Sequence, residues 1–174
     1  MVALMWGLEV VDAIAGGSLD QYGIEPREED GLTGIVAAPF LHAGFGHLIA
    51  NTVPLVVMGL VIAFRGAMRV LAVTAIVGLV SGLGTWLVAP DFTLHIGASG
   101  VVFGYATYLI SRGVFNRDGL ELAVGLIVVL VWGTALLGGL RPEDGISWQG
   151  HLFGAIGGVV AARMLRRGRT PAPV

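Results

Sequence analysis

The chain has 174 residues, of which 55% are hydrophobic and only 13% charged, with a formal net charge of −2. An average soluble domain carries roughly 25% charged residues, so this composition, with a mean hydropathy of +0.84, excludes a water-soluble globular protein. It describes a polytopic membrane protein of one domain. With no cysteine, disulfides and thiolate metal sites are excluded as well.

Met1 to Ile14 is apolar but reaches only about 21 Å as a helix, against a hydrocarbon core of ~30 Å. It also carries Glu9 and Asp12 near its end. The expectation is a truncated or late-started first span, with no cleavable signal peptide, since a basic leader and a small-residue cleavage site are missing. Ala15 to Ala38 is polar, with Gly16-Gly17 and an acid-rich run around Arg27 from Glu25 to Asp30. It reads either as a loop with its own role or as a solvated linker.

Phe40 to Phe64 reads as the second span, with a kink expected at Pro54. After a tight turn flanked by Arg65 and Arg69, Val70 to Val88 is the third. Ser99 to Ile110 is a short fourth span stopped by Arg112 and Arg117, Leu120 to Leu137 the fifth, and Ile146 to Leu165 the sixth. The expected fold is therefore an all-α membrane protein, a six-transmembrane-helix bundle over residues 1–166 with a truncated first helix. Residues 167–174 read as a short disordered tail.

All the basic residues are arginines. In a six-span arrangement, Arg65, Arg69, Arg112, Arg117, Arg163, Arg166, Arg167 and Arg169 share one side, and only Arg27 and Arg141 fall on the other. Positive residues collect on the cytoplasmic side, so both termini are expected there. Polar residues within the spans then fall at one level. Ser99 lies about 20 Å above the inner boundary marked by Arg112, His151 about 18 Å above Arg163, and Asn51 about 21 Å above Arg65; His47 sits one turn higher.

Gly100 and Gly104 repeat at four, as do Gly150, Gly154 and Gly158. Such small-xxx-small faces let helix backbones approach closely, which would bring Ser99 toward His151. Taken singly, Ser99 reads as a backbone-bonded hydroxyl, the glycines as packing and Asn51 as interhelical glue. An intramembrane histidine is costlier and points to function. Jointly they read as a site. A serine hydroxyl needs a base, and histidine with a reference pKa of ~6.5 suits that role. Donors for a developing oxyanion are available in the Asn51 amide, the His47 ring N–H and the Ser99 backbone N–H. No acid lies at matched depth to orient His151, so a Ser–His dyad fits better than a triad. His95 matches no pattern and reads as a loop residue.

These residues resemble the rhomboid intramembrane serine proteases from the second span onward. His42, His47 and Asn51 match that family's H-x4-H-x3-N pattern on the second helix. Gly97, Ser99 and Gly100 match its G-x-S-G at the start of the fourth. His151, Gly154 and Gly158 match its H-x2-G-x3-G on the sixth. The resemblance implies Ser99 as nucleophile and His151 as general base and later acid. It implies an oxyanion hole from His47, Asn51 and the Ser99 backbone N–H, an aromatic Phe103 packed on His151, and a structural His42 near the site. Residues 15–38 would correspond to the family's first loop, without the Trp-Arg pair some members carry.

The expected activity is thus cleavage of substrate transmembrane segments near their outer end, in the plasma membrane of a prokaryote. Transmembrane proteins and the lipid bilayer are the expected partners. No metal, cofactor or nucleic acid is implied. One alternative is a catalytically inactive rhomboid-like binder of transmembrane clients, although such proteins lose the Ser or His. Another is a small transporter or channel with Ser99, Asn51 and the histidines lining a polar path, but below Ser99 the fourth helix offers only Thr107 and Tyr108 to continue it.

Overall fold

The structure, a computed structural model, describes residues 1–143 and 145–166; the tail expected over 167–174 lies outside the described residues. Among these, all regular structure is helical, in seven α-helices with no strand. They are α1 (Val2–Ile14), α2 (Gly31–Ala37), α3 (Phe45–Ala63), α4 (Ala67–Val88), α5 (Ser99–Asn116), α6 (Gly119–Gly139) and α7 (Trp148–Met164). Three of them, α3, α4 and α6, are long and apolar enough by composition to cross a bilayer; α1 and α7 are shorter and α5 is more polar.

The bundle is apolar on its outside as well as in its core. α6 turns Leu122, Leu126, Ile127, Leu130 and Val131 outward, while the interior also holds small and polar residues such as Ser81, Thr85, Asn51 and Gln149. A continuous apolar exterior of this kind suits lipid rather than water. This is an integral membrane protein.

α5 is the central post, with α3, α4, α6 and α7 all packed on it. Its apolar residues Val101, Val102, Tyr105, Ala106, Tyr108 and Leu109 are buried. Glycines set its spacing from α7. A Cβ at Gly154 would collide with the Gly100 carbonyl oxygen, and one at Gly158 with that of Gly104. Cross-helix hydrogen bonds reinforce the contact: Thr107 Oγ1 donates to the Ala155 carbonyl at 2.8 Å, and Ser81 Oγ of α4 to the Gly150 carbonyl at 2.8 Å.

Two expectations need correction, and one open alternative is decided. α5 does not stop at Ile110 but runs to Asn116, and Arg112 sits inside it, only 6% exposed. The helix ends instead at Arg117, which takes a left-handed conformation (φ 53°). The second apolar helix begins at Phe45, after Gly44 turns the chain at φ 97°, so His42 precedes the helix; the helix is continuous through Pro54. Finally, residues 15–38 are no solvated linker. α2 packs on α4, where Ile35 lies against Gly82. Ile24 exchanges backbone hydrogen bonds with His95 (2.9 and 3.0 Å). Arg27 pairs with Asp91 and donates to the Ala89 carbonyl at 2.7 Å. The segment is a strap tied to the end of α4 and the loop that leads into α5.

Candidate active site

α3, α5 and α7 all begin at one pole of the bundle, and their first two turns carry His47 and Asn51, Ser99, and His151 respectively. These residues line one cleft of about 900 Å³, together with His95, Trp148 and Gln149. The polar groups placed at one level by residue counting thus share one space.

Ser99 Oγ lies 2.8 Å from His151 Nε2, and His151 Nδ1 lies 2.6 Å from the Gly139 carbonyl oxygen at the end of α6. A carbonyl can only accept, so Nδ1 carries the proton and Nε2 presents its lone pair to the Ser99 hydroxyl. The imidazole is therefore the tautomer that can take a proton from serine. Phe103, one turn after Ser99 on α5, stacks on the His151 ring with centroids 4.2 Å apart and planes 4° apart. The ring is fixed at one edge by a backbone carbonyl and on one face by an aromatic ring.

His47 lies against Gly97, where φ is +111° and a Cβ would stand 2.6 Å from the imidazole Cε1. Only glycine both adopts that conformation without strain and leaves room for the ring. Gly100 is confined in turn, since a Cβ there would strike Ser81 Oγ. Asn51 Nδ2 donates to the His47 carbonyl at 3.0 Å, which holds the amide on the cleft side of α3. His42 is buried beneath these groups, its ring 5.1 Å from that of His47. Its Nε2 accepts the Ala98 N–H at 3.4 Å, just before Ser99. Burial, and secondarily the neighbouring His47, lowers its pKa to about 4, so it stays a neutral acceptor.

His95 is a loop residue, as expected, but not an idle one. Its ring nitrogens meet Thr93 Oγ1 at 2.9 Å and Ser147 Oγ at 2.7 Å, linking the loop before α5 to the start of α7. Burial pulls its pKa below the usual histidine value.

Two contributors were not anticipated. The Gly139 carbonyl carries no sequence signal, because any residue has a carbonyl; only the end of an apolar run at Gly138-Gly139 marks the place. Ser81 and Thr85, four apart within an otherwise apolar helix, did carry a signal. They line a second cavity of about 30 Å³ with Ser99, His95 and Ser147, space enough for a water molecule. Among the described residues no group of side chains is arranged to hold a metal ion.

A family model described as the Rhomboid domain matches residues 29–168. An uncharacterised protein of Mycobacterium tuberculosis is 45% identical over 172 residues, covering 94% of this chain and 72% of that one. An uncharacterised protein of Mycobacterium leprae is 44% identical, covering 94% of this chain and 68% of its own. A protein of Bacillus subtilis named "Putative rhomboid protease YdcA" is 27% identical over 125 residues, covering 71% of this chain and 62% of that protein.

Proposed function

The chain belongs to the rhomboid family, and on that premise we propose that it is an intramembrane serine endopeptidase working through a Ser99–His151 dyad. The observation that carries the reading is the 2.8 Å approach of Ser99 Oγ to a His151 whose Nδ1 is held by the Gly139 carbonyl. The same cleft holds a second serine–imidazole contact, His95 Nδ1 to Ser147 Oγ at 2.7 Å, but of the two rings only His151 has its other nitrogen on a backbone carbonyl and an aromatic ring stacked on its face.

The steps follow from the geometry. A locally unwound transmembrane segment of a substrate enters the cleft. Ser99 Oγ attacks a peptide carbonyl while His151 Nε2 takes its proton. The oxyanion is met by the Ser99 backbone N–H, the His47 ring N–H and the second N–H of the Asn51 amide. The imidazolium then returns its proton to the leaving amine, and the peptide C–N bond breaks to leave an acyl-serine. A water deprotonated by His151 attacks the ester, and collapse of the second tetrahedral species frees the acid and regenerates the serine. The polar cavity behind Ser99 is a place from which that water could come. Six spans, with α1, α5 and α7 completing the three long ones, and cytoplasmic termini complete the reading. They are supported by the collection of Arg65, Arg69, Arg112 and Arg163 at the pole opposite the cleft.

The test is labelling of the detergent-solubilised protein with a fluorophosphonate probe, alongside cleavage of a model transmembrane substrate. Ser99→Ala and His151→Ala should each abolish both signals while leaving the protein folded. Full activity in either variant refutes the dyad. A folded wild type that neither labels nor cleaves, yet retains transmembrane clients, would mark an inactive binder.

A further inference from the structure

The pole opposite the cleft holds an unexplained buried cation. Arg112, in the last turns of α5, is only 6% exposed, and its Nε and Nη1 have no hydrogen-bond partner among the described residues. The Tyr108 ring lies 5.9 Å from the guanidinium carbon. The neighbouring charges are engaged otherwise. Arg65 Nη2 donates to Glu121 Oε1 at 2.7 Å, Asn116 donates to Glu121 Oε2 at 2.7 Å, and Arg69 donates to the Leu165 carbonyl.

These residues surround a small cavity of about 20 Å³ at the meeting of α3, α4, α5, α6 and α7. Three guanidiniums face it against the single carboxylate of Glu121. Burying an arginine with two of its nitrogens unsatisfied is unfavourable unless an anion completes the site. A water could accept one of those hydrogens but would leave the excess positive charge. The enclosed space admits one oxygen-sized atom, while Arg65, more exposed, stands at the edge. That shape suits a phosphate that inserts one oxygen toward Arg112 and leaves the rest at the mouth. Planar guanidinium forks are also the side chains best matched to phosphate oxygens.

We propose that this cavity is a binding site for a phosphate-bearing anion, held by Arg112 with Arg65 and Arg69. Two sources share that chemistry: the headgroup of an anionic lipid, for which basic pockets between helix ends are suited, and free inorganic phosphate. Occupancy would tie the ends of five helices together, remote from Ser99, so the site is independent of the proteolytic reading.

The experiment uses the full chain purified in neutral detergent. Melting temperature is followed against phosphatidylglycerol, against phosphatidylcholine, and against inorganic phosphate with chloride at matched ionic strength. Phosphatidylglycerol should raise it by several degrees where phosphatidylcholine does not. Arg112→Gln should erase the rise, whereas Arg163→Gln, an exposed arginine on α7, should keep it. A rise with inorganic phosphate to which phosphatidylglycerol adds nothing also supports the site and identifies free phosphate as its occupant. The proposal is overturned if neither anion shifts the wild type, or if Arg112→Gln and Arg163→Gln respond alike. Should Arg112→Gln fail to fold, native mass spectrometry of the wild type decides. Retention of phosphatidylglycerol or phosphate supports the site; retention of neither, or of phosphatidylcholine equally, overturns it.

Discussion

Gly139→Ala isolates the contact that orients His151, the proposed base. A Cβ at residue 139 would stand 2.7 Å from Phe103 Cζ and 3.0 Å from His151 Nδ1. Ordinary contact begins near ~3.5 Å, so the phenyl ring must retreat by about 0.8 Å and the imidazole by about 0.5 Å. The two rings are stacked, 4.2 Å apart, and cannot move independently. Moving the imidazole by that amount could stretch the 2.8 Å contact to Ser99 to about 3.3 Å, past the favourable range for a strong hydrogen bond. A 1 Å misplacement costs ~10²-fold in rate, so half that distance should cost about tenfold. Stability should fall slightly, because overpacking the two rings costs about 1–3 kcal/mol against a smaller helix-propensity gain. Residue 139 closes α6 without a positive φ, and alanine is a better helix former than glycine by up to ~1 kcal/mol. Fluorophosphonate labelling rate, substrate cleavage and melting temperature would be measured together. A tenfold loss of both rates is expected, with a melting temperature that falls by no more than a few degrees. Wild-type rates in a folded Gly139→Ala protein would refute the claim that the α6 terminus sets the base.

Other outcomes follow from the same geometry. Asn51→Ala should cut cleavage less than either dyad variant, with a loss of the order of 10² set by one missing oxyanion donor; no loss removes Asn51 from the site. Gly154→Val places a branched side chain against the Gly100 backbone. Driving α5 and α7 apart should lower the melting temperature and abolish labelling, and normal labelling would contradict the close contact. His42 has a folded pKa of about 4, below its unfolded value near 6.5. The unfolded chain therefore binds more protons between those values, and stability should be full above about pH 6.5 and fall toward pH 4. His42→Gln should flatten part of that decline in a melting series. A decline identical to wild type would show that other groups cause it.

The residues of the site were legible because each motif combined a functional residue with the small residues that make room for it. Gly97 beside Ser99 and Gly154 beside His151 announce close packing as well as chemistry. Helical rise then sufficed to put three helices at one depth. What failed had a different cause. Arg112 looked like a stop because composition cannot tell an arginine leaving the apolar zone from one enclosed at a helix end. The strap of residues 15–38 was ambiguous because its ties are long-range: Arg27 meets Asp91, 64 residues away. His42 was assigned to the helix because a motif spacing of five does not reveal the turn at Gly44.

The carbonyl that holds His151 has a consequence for heredity. A side-chain carboxylate in that position could be deleted by one nucleotide change, whereas a backbone oxygen is written in no codon and survives every substitution at residue 139. What mutation can alter is where that oxygen stands. Selection on the orientation of the base must therefore fall on whatever fixes the last turn of α6, a helix whose own outward residues need only be greasy. Drift along the outward face of that helix should be free, and restricted at its final turn and where Glu121, Gly125 and Val128 face the bundle.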